Sequence, residues 1–299
     1  DKIKSLSGPI LVTGHTGFKG TWLSLLLEKL EIDFVGYSLS PEKESLFLRL
    51  KRESRIREEF GNILDIEKFS RFVSATKPSA IIHLAAQPLV LKSYENPLET
   101  FQVNALGTAN VLEVAQKNSF IKAFIAVTTD KVYRNKNLQI DFIESDPLEG
   151  NDPYSASKAG GEEMCVAFEN TYKLPIAITH TMNVFGERQH PEKFIPLVIQ
   201  RVRDGEKIRI HADPTKTIPG SRHYIHAMDV AEGLMFILNN LKDYTHFQEN
   251  GLRVIPKFNL VGPEETDNLN LAKMIAEVQN KELLYELTDF HSARPGHDL

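Results

Sequence analysis

A glycine-rich turn set between a short apolar run and a helical stretch constrains this chain more than any other feature. Pro9-Ile10-Leu11-Val12-Thr13 reads as a buried strand. Gly14-His15-Thr16-Gly17-Phe18-Lys19-Gly20 follows as the turn, and Thr21 to Leu30 reads as a helix with Leu23, Leu26, Leu27 and Leu30 on one face. The first glycine permits a tight bend and the second lets backbone approach a pyrophosphate. The third lets the helix pack closely on the strand, and the helix N-terminus faces the anion. The spacing is GxxGxxG rather than GxGxxG. A glycine loop alone is common; between a strand and a helix at the head of an α/β chain it points to a dinucleotide site.

The rest of the chain keeps the same alternation. Strands are expected at Asp33 to Tyr37, Phe60 to Leu64, Ala80 to Leu84, Ala123 to Val127 and Ile176 to Thr181. Helices are expected at Ile66 to Thr76, Glu99 to Asn118, Tyr154 to Tyr172 and Lys193 to Arg203. Beyond residue 181 the rhythm loosens. Short strands at Ile208 to His211, Tyr224 to His226 and Lys257 to Val261 mix with helices at Asp229 to Leu241 and Asn268 to Asn280, with Asp229 and Asp267 as caps. The expected fold class is α/β: a Rossmann-type doubly wound parallel sheet over residues 1–180, with a smaller mixed α/β substrate domain over 181–299 and some interleaving. Ligands of such sheets bind beyond the carboxyl ends of the strands.

Composition narrows the function classes. The net charge is −5, from 35 basic and 40 acidic residues, which speaks against a nucleic-acid binder relying on a basic surface. Apolar runs such as Leu23 to Leu27 fall far short of the ~20 residues of a membrane span, and no signal peptide opens the chain. Cys165 is the only cysteine, which fits a cytoplasmic setting and a place in the core. The chain starts at Asp1 rather than Met and stops at Leu299 without an evident terminal element, so either end is expected to lack residues.

Candidate cofactor contacts are Gly14, Thr16, Gly17, Phe18, Lys19 and Gly20 in the turn, Ser38 after the second strand, Asp65 and Ile66 after the third, and Leu84, Ala85 and Ala86 after the fourth. An acid that would hold the adenosine ribose about 20 residues past the turn is missing from Tyr37-Ser38-Leu39-Ser40. NAD is favoured, with NADP not excluded. At Asp65 two readings stay open together, an acceptor for the adenine amine and an N-cap for the helix from Ile66.

Tyr154-Ser155-Ala156-Ser157-Lys158 puts a phenol and an ammonium on one helical face. A free phenol has a pKa of about 10, and a nearby cation would favour its phenolate. Tyr154 could then take a proton from a sugar hydroxyl while hydride leaves the same carbon. Val127-Thr128-Thr129-Asp130-Lys131 ends the fifth strand with a hydroxyl, a carboxyl and an amine side by side. A plain dehydrogenase needs only the hydroxyl; the acid and base beside it suit a further proton transfer such as eliminating water.

These motifs together resemble the extended short-chain dehydrogenase/reductase superfamily, and within it the nucleotide-sugar 4,6-dehydratases. The glycine turn, His83-Leu84-Ala85-Ala86-Gln87-Pro88 and Thr128-Thr129-Asp130-Lys131-Val132-Tyr133 look most like the CDP-glucose enzymes. Pro191-Glu192-Lys193-Phe194-Ile195-Pro196-Leu197 and Arg294-Pro295-Gly296-His297-Asp298 look like the dTDP-glucose enzymes, and Asp152 to Ala159 is similar to both. The resemblance covers nearly the whole chain and leaves the nucleobase open.

The resemblance implies roles. Tyr154 removes the C4 hydroxyl proton, Lys158 lowers the tyrosine pKa and holds the nicotinamide ribose, and Thr129 bonds the C4 oxygen. Asp130 protonates the departing C6 hydroxyl, and Lys131 stands at the position of the C5 base, where the dTDP-glucose enzymes carry glutamate. The substrate, a nucleoside-diphosphate hexose, would be held by Gln87, Asn183, Glu192, Lys193, Phe194, Ile195, Arg222, Asn259 and Arg294. A homodimer joined through the Tyr154 helix is implied as well.

The nearest alternative is a 4-epimerase or a uronate decarboxylase on the same scaffold; Asp130 and Lys131 argue against the epimerase. A non-catalytic dinucleotide sensor is more remote, having no use for Thr129, Tyr154 and Lys158 together. No metal is expected: His223 and His226 would point to opposite faces of a strand.

Overall fold

The computed structural model describes residues 7–53, 55–135, 141–244, 246–247 and 253–290. Its contacts fall into two compact units: residues 1–181 with 227–260, and residues 182–226 with 261–299. The first unit is built on strands β1 (Ile10–Thr13), β2 (Phe34–Ser38), β3 (Arg57–Phe60), β4 (Ala80–His83), β5 (Ala123–Thr129), β6 (Ile176–Thr181) and β7 (Lys257–Leu260). They form one sheet in the order β7-β6-β5-β4-β1-β2-β3, and every pairing is parallel.

Parallel neighbours need crossovers, and helices supply them: α1 (Phe18–Lys29), α2 (Ile66–Thr76), α3 (Gly107–Lys117), α4 (Pro153–Tyr172) and α5 (Ala227–Asn240). The central strands are buried on both faces, which is why they read as unbroken apolar runs rather than alternating ones. One face packs Leu11, Val35, Ile81, Phe124 and Ile178 against Phe69 and Val73 of α2, Val111 and Leu112 of α3, and Cys165 of α4. On the same scaffold α1 packs against α5. Each fully buried Leu, Ile or Phe contributes roughly 1.5–3 kcal/mol.

Three local departures have physical causes. The third strand is Arg57–Phe60, not Phe60 to Leu64. It is the sheet's edge, paired only with β2, so Arg-Glu-Glu suffices there, while the apolar Ile63 is buried from the following loop. The helix expected over Glu99 to Asn118 is broken into Pro97–Phe101, a π turn at Gln102–Leu106, and α3. The π turn carries Asn104, whose Oδ1 accepts from Gln87 N at 2.8 Å and whose Nδ2 donates to Gln87 O and Ser157 Oγ at 3.1 and 2.9 Å. Asp229 lies inside the first turn of α5 rather than capping it. Asp65 and Asp267 do cap their helices, accepting from Lys68 N and Asn270 N.

The second unit has its own small core, in which helices Phe194–Asp204 and Asn268–Val278 enclose Val198, Val202, Ile208, Ile210, Ala272 and Ala276. The strand expected at Tyr224 to His226 is two strands. Ser221–His223 runs antiparallel to Glu265–Asp267, and Ile225–His226 parallel to Val184–Phe185. His223 and His226 therefore sit on separate strands, one bonded to Gly262 O, the other paired with Glu187.

His15 of the glycine turn shows how tightly the first unit is fitted. Its buried ring lies over Gly36 of β2, where an added Cβ would sit 2.5 Å from it. Phe47 meets the ring edge-on, Phe60 stacks on it, and Glu58 of β3 bonds its Nε2 at 2.6 Å. Gly36→Ala has no room and is expected to destabilise the protein by about 1–3 kcal/mol, as overpacking does. Urea unfolding measures this, and a wild-type midpoint would contradict the packing described.

Candidate active site

The strand order reverses between β1 and β4, and the glycine turn stands at that switch point. Gly14 adopts φ +73°, and an added Cβ would lie 2.8 Å from Ala85 N, so the turn needs both the left-handed backbone and the missing side chain. Gly20 lies against Gly14 O, where a Cβ would approach to 2.2 Å. Gly17 caps α1 and brings no capping side chain to the helix's first N–H groups. No acid occupies that first turn. An uncapped, acid-free helix start beside a glycine cradle fits the pyrophosphate of a dinucleotide.

Hydroxyls tie this cradle to its neighbours. Thr16 donates to Leu39 O at 3.0 Å and accepts from Ser38 Oγ at 2.7 Å, joining the turn to the end of β2. Lys19 Nζ donates to Thr181 Oγ1 at 3.0 Å, reaching the end of β6. Thr13 Oγ1 accepts from Leu84 N and Ala85 N at 3.2 and 3.3 Å, fixing the loop after β4 through Ala86. The Thr13 hydroxyl proton goes to His83 Nδ1 at 2.8 Å, so the imidazole carries its own proton on Nε2 and gives it to Thr108 Oγ1 at 3.1 Å. Burial, with the nearby Lys158 charge, pushes His83 down to about 3, so it stays neutral. The glycine turn could be read from sequence; the Thr13–His83–Thr108 chain could not, since its members lie on three elements.

The catalytic candidates meet at the mouth of β5. Thr129 ends the strand, and a 3₁₀ turn over Asp130–Val132 follows. The Thr129 hydroxyl donates to Asp130 Oδ1 at 3.0 Å, and Lys131 N bonds Thr129 Oγ1 at 3.4 Å. Asp152 caps α4, accepting from Ser155 N, and so sets Tyr154 in the first helical turn. The Tyr154 phenol lies near enough to Thr129 and Asp130 for the hydroxyl and the charge to act on its pKa. One hydroxyl thus bonds the carboxyl and stands within reach of the phenol.

The electrostatics correct one expectation. Burial raises the Tyr154 pKa above that of a free phenol, Asp130 and Asp152 push the same way, and only the Thr129 hydrogen bond opposes them. The Lys158 ammonium is itself buried, its pKa brought down to about 8 by desolvation, and Nζ donates to Val127 O at 2.9 Å. A cavity of about 10 Å³, the size of one water, opens beside it among His83, Asn104 and Thr108.

Two expected substrate contacts have other work. Gln87 is buried, its Nε2 donating to Leu89 O and Thr100 Oγ1, both at 3.0 Å, while its Oε1 accepts from Leu89 N at 2.7 Å. It shapes the loop after β4 rather than facing a hexose. Asn259 on β7 accepts from the Tyr133 hydroxyl at 2.8 Å and donates to Phe142 O at 3.1 Å, so both ends of its amide are committed. Asn183, Glu192, Lys193, Phe194, Ile195 and Arg222 belong to the second unit. Phe194 is half-buried against that unit's core, Lys193 precedes the helix it opens, and Arg222 donates to Ser221 O at 2.6 Å. Arg294 lies outside the described residues.

Fold and site define an α/β dinucleotide-binding protein of the short-chain type, with a Thr–Tyr–Lys constellation at the β5 mouth. A family model described as the NAD dependent epimerase/dehydratase family matches residues 10–249, and the chain belongs to that family. It is 35% identical to the CDP-glucose 4,6-dehydratase of Salmonella typhimurium over 67% of this chain, and spans 59% of that protein's length. It is 29% identical to the dTDP-glucose 4,6-dehydratase of Haemophilus influenzae, over 97% of this chain and 88% of the relative. Among solved structures, the dTDP-glucose 4,6-dehydratase of Streptomyces venezuelae with NAD bound superposes with a TM-score of 0.78 at 27% identity, covering 97% of this chain and 86% of that one.

The Lys158 environment sets a pH dependence. Its folded pKa of about 8 lies below the free value of 10.5. The unfolded chain therefore binds more protons between those values, and this group's contribution to stability rises with pH across that window. The stability difference between Lys158→Met and wild type should change by roughly 1–3 kcal/mol over it, measured by urea unfolding at several pH values. Parallel curves would contradict the assignment.

Proposed function

We propose that this chain is a nucleoside-diphosphate-hexose 4,6-dehydratase that uses NAD and acts on CDP-glucose or dTDP-glucose. The observation that carries the proposal is the Thr129 hydroxyl, bonded to the Asp130 carboxyl at the strand end beside the Tyr154 phenol. A redox step at C4 and a proton delivery at C6 need those two groups over one pyranose ring. The named relatives, both 4,6-dehydratases, support the same reading.

Tyr154 takes the proton from the C4 hydroxyl, with Thr129 holding the oxygen. When bound, NAD would supply an acceptor for the C4 hydride, a donor of hydride to C6 and a positive charge that favours the Tyr154 phenolate. The C4 ketone acidifies the C5 proton, which Lys131 in its neutral form removes and gives back to C5 as hydride reaches C6, while Asp130, protonated for the elimination, gives its proton to the leaving C6 hydroxyl. Water is lost and no net oxidation occurs. Lys158, fixed by Val127 O, is placed to hold the nicotinamide ribose.

Assembly and setting complete the reading. Leu98, 71% exposed, and Leu106, also exposed, lie on helical segments packed against α4, and the exposed Met164 lies on α4 itself. We assign them to a homodimer interface. A cytoplasmic location is supported by the single cysteine. Among the described residues no helix is long and apolar enough to cross a membrane.

Purified protein offered CDP-, dTDP-, UDP- and GDP-hexoses should convert one of them to a 4-keto-6-deoxy product without added oxidant, seen as loss of water by mass spectrometry. A product of unchanged mass with inverted C4 would make the enzyme an epimerase instead. Asp130→Asn should keep C4 oxidation while slowing water loss by about 10²-fold or more. If both steps fall equally, Asp130 has another role.

A further inference from the structure

Behind the Asp130–Val132 turn lies a chain of buried polar groups that the steps above do not use. Glu162, one helical turn past Lys158 on α4, and His180 on β6 are both 0% exposed. Glu162 Oε2 bonds His180 Nε2 at 2.9 Å, and Oε1 pairs with Lys257 Nζ at 2.8 Å. His180 Nδ1 lies 2.7 Å from the Tyr133 hydroxyl, which in turn lies 2.8 Å from Asn259 Oδ1.

Counting protons orients the chain. Asn259 Nδ2 donates to Phe142 O, so its Oδ1 is an acceptor and the Tyr133 hydroxyl must donate to it. That spends the only hydroxyl proton, so His180 Nδ1 must donate to the Tyr133 oxygen. The other ring nitrogen faces the Glu162 carboxylate. Both nitrogens of His180 therefore face oxygens, which holds the ring between Tyr133 and Glu162. Burial pushes the Glu162 carboxyl up, but the hydrogen bond and charge of His180, and the charge of Lys257, outweigh it and hold it below the usual range. Among the described residues Glu162 Oε1 has Lys257 as its ion-pair partner and no geometric hydrogen bond, while the other contacts of this buried polar chain favour one arrangement of the elements that it joins.

Those elements are the ones that aim the acid and the base. Tyr133 N donates to Asp130 O at 3.1 Å and closes the turn that carries Asp130 and Lys131. Its ring stacks on Phe142 at 5.1 Å and tilts against His180 at 4.7 Å. Its β-bridge to Leu148 ties the turn to the segment leading into α4. We propose that Tyr133 is a positioning residue for Asp130 and Lys131, held in register from α4 and β6 by Glu162 and His180. This rests on the dehydratase reading of the site, and it separates water loss from C4 oxidation, because Tyr154 and Lys158 are set by their own helix.

The test is Tyr133→Phe, which keeps the ring and removes only the hydroxyl, in single turnovers with NAD and the hexose nucleotide that wild type dehydrates. C4 oxidation, read from nicotinamide absorbance, should stay within about 2-fold of wild type, with KM unchanged. Water loss, read by mass spectrometry, should slow by about 10–100-fold, the scale of a misplaced catalytic group. His180→Asn, which can keep an N–H directed at Tyr133, should recover much of the rate that His180→Leu loses. Hydrogen exchange gives a readout free of activity: the amides of residues 131–133 should exchange faster in Tyr133→Phe while those of β1 and α1 keep their wild-type rates. Equal slowing of both steps, no slowing, or unchanged local exchange would each overturn the proposal. Should wild type dehydrate no hexose nucleotide, the dehydratase reading fails by itself, and the exchange result still decides the role of Tyr133.

Discussion

The hydrogen bond from Lys158 Nζ to the Val127 carbonyl joins the helix that carries the phenol to the strand that carries Thr129. An ammonium buried without an acceptor would be costly, so this contact fixes the roll and height of α4 on β5. Tyr154, one turn earlier on the same face, then has one place to go, beside Thr129. Glu162, one turn later, falls between β5 and β6, where Thr128 and His180 receive it. The acid–base machinery and its buried support therefore share one mechanical reference, the seating of a helix on two strands.

The dinucleotide side has a comparable anchor at the switch point. Thr13 sits at the end of β1 and accepts two backbone N–H groups from the loop after β4, while its own proton goes to a neutral imidazole. Two loops that belong to different crossovers are thus held at one spacing by a single hydroxyl. Asn104, displayed by a π turn, does the same between the β4 loop and α4. These are polar side chains spent on backbone, and they leave the rims of the groove defined before any ligand arrives.

Much of this was legible in the residues. Apolar runs marked the five inner strands because doubly covered strands must be apolar, the half-buried edge strand β7 was found as well, and the glycine turn located the switch point. The other edge strand, β3, escaped, since Arg57-Glu58-Glu59 offers no apolar run. Tyr154, Lys158, Thr129 and Asp130 could be named because one helix and one strand end carry them at fixed spacing. The fates of Gln87 and Asn259 could not, because what an amide bonds depends on partners such as Thr100 and Tyr133 that only folding brings near. The sign of the Tyr154 shift was hidden for a similar reason: charge proximity reads from spacing, burial does not.

The interleaving of the chain has a consequence for biosynthesis. Strand β7 and helix α5 belong to the first unit but are translated after residues 182–226 of the second. A nascent chain that has cleared the ribosome only to Thr181 carries β6 as an open edge, a template for stray pairing. In that intermediate Glu162 has not met Lys257, nor Tyr133 its amide partner. Maturation of the acid–base turn must therefore wait for late-arriving sequence, which delays the assembled site until most of the polypeptide is made.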